Sequence, residues 1–385
     1  MKRILLYIIA SVLLVGCAPN FNDPEEVVDE TLPTEQQETA IIPSYEVSDS
    51  EYQVLLPYRL SQSRGVTTNQ VANRLDIRTL ENDLRRHAVD VFDPDSHFFQ
   101  EGQQIGQSEL YSWLERESEA APFGLNPSVD YATDAATDVK LEQERENPKY
   151  LSHILEQNFL KRTDDQSVQL AGIALGIAMK SNYSFQTEVG GPTYYEDIPE
   201  STMMTEANRI ADTVVERLRQ KDGLTDVPIM LAIYREAPRS GLVPGNFVAQ
   251  TTVSGGSSSV GDWETINDNY VLFPSTEARN LDPDLSATIE DFKQDIAEFF
   301  PNYVGLIGEG FFIGDQIQSL TLEIPIEFQG QAEVVGFTQY VYGLVMESFQ
   351  SYFDIEVIIK SSNKQESLIT RKRGEDEPFV HVYER

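Results

Sequence analysis

A single cysteine, Cys17, limits how this 385-residue chain can be held together: no internal disulfide and no multi-cysteine metal site can form. That cysteine closes an N-terminal pattern. Met1-Lys2-Arg3 precedes a twelve-residue apolar run from Ile4 to Val15, and Gly16-Cys17 follows. A basic start, a short apolar core and a small residue before the cut describe a secretory signal peptide. The run is too short for a membrane span, which needs about 20 residues. Leu14-Val15-Gly16-Cys17 fits the bacterial lipobox, so cleavage by signal peptidase II is expected between Gly16 and Cys17. A diacylglyceryl transferase would first modify the thiol. Two acyl chains (diacylglycerol, with palmitate as the type of chain) anchor stably where one binds only reversibly. The chain is therefore expected outside the cell on the membrane of a Gram-positive bacterium.

There are 63 acidic against 29 basic residues, a formal charge of −34; removal of Lys2 and Arg3 takes this to −36. This excludes an electrostatic grip on nucleic acid or on anionic lipid headgroups. Ala18 to Glu51 holds ten acidic residues, no Lys or Arg, and Pro19, Pro24, Pro33 and Pro43. Repulsion and proline predict an extended, disordered spacer. The expected division is 1–16 signal peptide, 17–55 lipidated cysteine and acidic linker, and 56–385 globular ectodomain.

Within the ectodomain, Ile77, Leu80, Leu84, Ala88 and Val91 recur at helical spacing and predict a helix over about 71–91. Pro148 to Leu160 reads as a second helix. Val168 to Met179 is an apolar, Gly-interrupted run expected to be a buried strand. Ser201 is placed to cap a helix with Met203, Ala207, Ile210, Val214 and Leu218 inward, ending at Gly223. Pro228 to Tyr234 is another buried strand. Leu285, Ile289, Phe292, Ile296 and Phe299 define a helix stopped by Pro301. Leu320 to Phe328 alternates as a half-buried strand. Val334, Phe337, Val341 and Leu344 mark a helix, and Ile355, Val357 and Ile359 a strand. Ser367–Lys372 and Phe379–Tyr383 form a hairpin around Gly374. Helix–strand–helix–strand thus occurs twice, in 148–234 and 285–360. The expected class is α+β (mixed α/β) with an internal duplication.

Little in the sequence carries chemistry. The histidines His87, His97, His153 and His381 show no metal-ligand spacing, and each reads as structural, His87 as solvated beside Arg85 and Arg86. Ser254-Gly255-Gly256-Ser257-Ser258-Ser259 lacks the nucleophile-elbow pattern and reads as a loop. Gly308-Glu309-Gly310-Phe311-Phe312-Ile313-Gly314 misses the dinucleotide spacing by one place and precedes a strand. Asp130, Asp134 and Asp138 are four apart, but an acidic loop is the plainer reading. Arg371-Lys372-Arg373 is balanced by Glu375-Asp376-Glu377. No catalytic residue, cofactor or metal is assigned, and the chain is read as a non-enzyme.

Several segments together resemble one family. They are Asn73-Arg74-Leu75-Asp76, Phe99-Gln100-Glu101-Gly102-Gln103, Tyr150 to Gln157, Pro244-Gly245-Asn246-Phe247 and Phe300-Pro301-Asn302-Tyr303. Gly336 to Tyr340, Gln365 to Ile369 and Glu377 to Tyr383 complete the set. This pattern is similar to the CamS family of Gram-positive lipoproteins, described as sex-pheromone precursors. The resemblance implies a short hydrophobic pheromone cut from the signal sequence, here Ala10-Ser11-Val12-Leu13-Leu14-Val15-Gly16, freed by an intramembrane protease. It implies a two-repeat α+β ectodomain with no established enzymatic activity or cofactor; the ectodomain's partner is unknown, and a binding role is expected of it. Two other readings stay open: a solute-binding envelope lipoprotein, and an envelope hydrolase using carboxylates.

Overall fold

The structure, a computed structural model, describes residues 25–29, 39–43, 51–66, 74–163, 166–300, 303–327 and 330–384. The signal peptide, Cys17 and the heptapeptide Ala10–Gly16 lie outside these residues.

Strands are β1 (Glu25–Asp29), β2 (Thr39–Ile42), β3 (Gln53–Val54), β4 (Phe98–Glu101), β5 (Leu151–Arg162), β6 (Ser167–Met179), β7 (Asn182–Phe185), β8 (Tyr194–Asp197) and β9 (Ile229–Arg235). They continue as β10 (Asn246–Val253), β11 (Glu264–Thr265), β12 (Asp268–Phe273), β13 (Ile307–Ile313), β14 (Gln316–Pro325), β15 (Asp354–Lys360), β16 (Gln365–Arg371) and β17 (Phe379–Val382). The helices are α1 (Arg74–Ala88), α2 (Gln107–Leu114), α3 (Thr137–Glu146), α4 (Glu200–Arg219), α5 (Thr276–Leu281), α6 (Pro283–Phe299) and α7 (Gln331–Ser348).

These elements form an α+β body on two large sheets, with β7 and β8 paired as a separate two-stranded sheet. The first contains the run β4-β5-β6-β9-β10-β11, and the second is β12-β13-β14-β15-β16-β17. Both runs follow one succession of neighbours: antiparallel, antiparallel, parallel, antiparallel, antiparallel. The parallel pairs β6–β9 and β14–β15 each require a crossover connection, and α4 and α7 lie in these connections.

Helix cover explains the sequence patterns. Packed on one face of β6 and β9 is α4, through Met203, Ala207, Ile210 and Val214. On the other lies α1, through Leu80, Leu84 and Ala88. With both faces covered, Val168–Met179 and Ile229–Tyr234 read as continuous apolar runs, as parallel strands between helices do. The second sheet is covered on one face by α6 and α7, around Phe292, Phe337, Leu320, Leu322 and Val357. Its other face carries Thr321, Glu323 and Glu356, which gives β14 and β15 their alternation.

Four expectations are corrected. Pro148–Leu160 is not a helix: β5 fills this segment, because burial on both faces removes the alternation and leaves a spacing that mimics a helix. The two units accordingly run strand–strand–helix–strand (β5, β6, α4, β9 and β13, β14, α7, β15), with α6 ahead of the second. Ser201 is not the cap of α4; Pro199 holds that position, and the helix ends at Arg219 before the left-handed Gly223. The spacer is not uniformly without structure. Antiparallel to each other, β1 and β2 join the first sheet through Val28 opposite Ser167, and Val27, Ala40 and Ile42 are buried against Leu160 and Val168. Asp29 there meets Arg59 at 3.1 Å. Net charge dominated the sequence reading and hid these short aliphatic runs.

One glycine is fixed by close approach. A Cβ on Gly172 would lie 2.1 Å from the Phe92 ring, which stacks on Phe159 at a centroid distance of 4.7 Å.

Candidate functional site

The two sheets meet where α1 faces β12 and β13. Tyr234 Oη and the Gly245 amide donate to Asp76 Oδ1 on α1, at 2.8 and 2.6 Å. Burial raises the Asp76 carboxyl, against the lowering effect of these donors. This fixes the N-terminal end of α1 and the base of the loop leading to β10.

Near the other end of α1, Arg86 Nη2 and His87 Nε2 both donate to Asp268 Oδ2, at 2.6 and 2.8 Å. Asn246 donates to the Asp268 carbonyl at 2.7 Å, and Tyr270 Oη to Asp83 Oδ2 at 2.8 Å. The Arg86 guanidinium also covers the Phe311 ring at 4.8 Å. Burial alone would raise Asp268, but the His87 hydrogen bond and the Arg86 charge outweigh it and hold the carboxyl below its ordinary value. The expectation of a solvated His87 is therefore wrong: the ring is buried and bridges the two sheets.

Beside this junction lies a groove of about 680 Å³ between α1 and the uncovered face of the second sheet. Its floor is ordered by strand register. Leu272, Glu309, Thr321 and Glu356 form one cross-strand row, and Ile307, Glu323 and Ile358 form the next. Leu75, Arg78 and Asn82 of α1 form one wall, and Leu242 and Pro244 close an end. Burial raises the Glu309 carboxyl, Glu323 adds to this, and the Arg78 charge opposes it. Glu323 is ion-paired to Lys360.

Register also explains the glycine-rich segment. A Cβ on Gly310 would come within 2.9 Å of the Phe312 and Phe273 rings in the core. The glycines of β13 serve core packing, and Glu309 between them faces the groove. The segment is itself the strand, rather than preceding one.

Other singled-out residues lie elsewhere. His153 is fully buried on β5, and burial lowers its pKa to about 3. Lys180 Nζ lies 3.9 Å from Glu236 Oε2 and donates to Ser152 Oγ at 3.4 Å. Burial raises Glu236 to about 7, against the Lys180 charge and the Ser152 hydroxyl. Glu156 accepts from the Gln103, Gln104 and Ile105 amides at 3.0, 2.9 and 2.7 Å. His97 Nδ1 donates to the Asp93 carbonyl at 2.9 Å, and His381 packs on Tyr383. The Ser254–Ser259 turn is held by Arg219, which donates to the Ser254 and Ser257 carbonyls. Asp130 and Asp134 precede α3, while Asp138 lies in its first turn. Among the described residues, no three His, Cys, Asp or Glu side chains gather as a metal site.

Sequence reasoning missed Asp268, Tyr270, Asp83 and the groove carboxylates. The available signals were Asp83 and Arg86 at i, i+3 on the polar side of a helix, and a charged residue alternating with glycines.

The chain matches the model of the CamS sex pheromone cAM373 precursor family over residues 58–377. It is similar to the crystal structure of a sex pheromone precursor from Lactobacillus salivarius subsp. salivarius UCC118. That likeness has 30% identity and a TM-score of 0.81, covering 89% of this chain and 98% of that one. It is also similar to the C-terminal domain of the sex pheromone staph-cAM373 precursor from Staphylococcus aureus. There the identity is 28% and the TM-score 0.71, covering 82% of this chain and 99% of that one. No curated protein matches. The chain belongs to the CamS family of sex pheromone precursors.

Proposed function

We propose that this protein is a lipid-tethered extracellular pheromone-precursor lipoprotein whose ectodomain is a binding module rather than an enzyme. The observation that carries the binding role is the groove, a cleft lined by both aliphatic and charged side chains at a junction of two sheets, where a few convergent polar groups can orient a ligand. The tether is Cys17 after cleavage at Gly16-Cys17, and no helix among the described residues is long and apolar enough to cross a membrane. The duplicated unit is read as the origin of the two matching sheet topologies. In the mature chain the acidic segment ahead of residue 51 holds the body off the membrane, with β1 and β2 docked on the first sheet.

In this reading Ala10–Gly16 is released as a neutral aliphatic heptapeptide after signal peptidase II and an intramembrane protease have acted. The test is cell fractionation of Cys17→Ala together with mass spectrometry of the medium. The native protein is expected to stay with washed membranes and the Cys17→Ala protein to leave them, with the heptapeptide present in native culture fluid. Membrane retention of the Cys17→Ala protein refutes the tether, and absence of the heptapeptide refutes the processing.

A further inference from the structure

We propose that the groove takes an extended peptide segment carrying one basic side chain among aliphatic ones. This rests on the reading of the groove as the binding site and names its ligand class. The apolar half of the groove is exposed: Leu75, Leu242 and Ile307 are 43%, 74% and 54% exposed and converge on it from α1, the 236–245 loop and β13. The polar half is an imbalance of charge on the floor. Glu309 and Glu356 lie in one cross-strand row on either side of Thr321, two strand spacings or about 10 Å apart.

Neighbouring carboxylates have their own partners. Asp83 is met by Arg86, Glu323 by Lys360 and Asp354 by Lys372. Among the described residues, neither Glu309 nor Glu356 makes a hydrogen bond or contact ion pair, and Arg78 and Lys372 act on them only through space. An ammonium or guanidinium entering between them would meet two carboxylates and the Thr321 hydroxyl, while flanking aliphatic side chains cover the exposed walls. Charge-assisted hydrogen bonds of this kind are about twice as strong as neutral ones. A neutral acyl chain would leave the carboxylates desolvated and unmatched, and a polyanion would be repelled.

The test uses the mature chain with Cys17→Ala, which removes only the lipid, and an acetylated, amidated Val-Leu-Lys-Leu-Val peptide in calorimetric titration. Control peptides carry norleucine or glutamate in place of lysine. The lysine peptide is expected to bind at least tenfold more tightly than either control. Glu309→Gln combined with Glu356→Gln is expected to abolish that preference without lowering the melting temperature, and Leu242→Ser to weaken all binding. Equal binding of the lysine and norleucine peptides, still weakened by Leu242→Ser, overturns the inference and leaves the groove as a binding site. Binding indifferent to Leu242→Ser and to the paired Gln changes places the peptide elsewhere and overturns both. No binding of any of the three peptides at millimolar concentration overturns the ligand class.

Discussion

Replacing Asp268 by alanine is expected to lower the stability of the protein by about 3 kcal/mol and to loosen the second sheet from α1. One carboxylate oxygen accepts from both Arg86 and His87, and its side chain is 2% exposed. Removing one partner of a buried ion pair costs about 3–5 kcal/mol, because the remaining charge stays desolvated. The low end applies, since the Arg86 side chain is 35% exposed and can recover water. Asp268→Asn keeps an acceptor and should cost less. Denaturant unfolding of both variants against the native chain is the check. A loss below about 1 kcal/mol for Asp268→Ala would show that the junction does not depend on this carboxylate.

The second large effect depends on pH. The folded pKa of Glu236 is raised from 4.5 to about 7 by burial, so between these values the folded chain holds a proton that the unfolded chain has released. The contribution is fully present below about pH 4.5 and is lost as pH rises through 7. At about 1.4 kcal/mol per unit, the full swing over this interval is about 3–4 kcal/mol, with the opposing Lys180 charge already included. His153 works in the opposite sense: lowered to about 3, it contributes stability at neutral pH that is lost as pH falls below 6.5. Over pH 4.5–6.5 the two offset each other in the native protein, and Glu236→Gln removes one side. Relative to native, the Gln variant should be equal near pH 4 and gain up to about 3 kcal/mol by pH 7.5. Parallel stability curves across that range would refute the buried, protonated Glu236.

How far the sequence speaks depends on which faces are covered. In the second sheet, Leu320, Leu322 and Ile324 alternate because one face alone is packed, and the strand was legible. In β5, burial of Ile154, Glu156, Asn158 and Phe159 on both faces left no period of two, and the segment was misread as a helix. The amphipathic α1, α4, α6 and α7 were legible because each has one buried stripe. The capping of α4 was not, because a proline holds the N-cap position where a hydroxyl was expected. The family was readable from dispersed segments, several of which now have a physical role. Asp76 and Gly245 meet in one hydrogen bond, and Glu156 in Tyr150–Gln157 orders the backbone after Gly102.

The groove was not legible, because it is built from residues distant in sequence. Arg78 and Glu309 are separated by most of the first sheet and become neighbours only once Asp268 is docked on α1. Nothing local marks Glu356 as different from the other carboxylates of so acidic a chain. Their distinction is positional, set by register on an uncovered sheet face.

The claim that this groove is where the ectodomain binds is tested most directly by a reporter placed at its rim. Cys17→Ala leaves no cysteine, so Leu242→Cys in that background takes a single environment-sensitive dye, and Phe123→Cys, also exposed but outside the groove lining, serves as the control. Each labelled protein is titrated with peptide-sized fractions of spent growth medium. The account predicts a saturable change in emission at position 242 that unlabelled mature protein competes away, with none at position 123. No change at position 242, or equal changes at both positions, would contradict it.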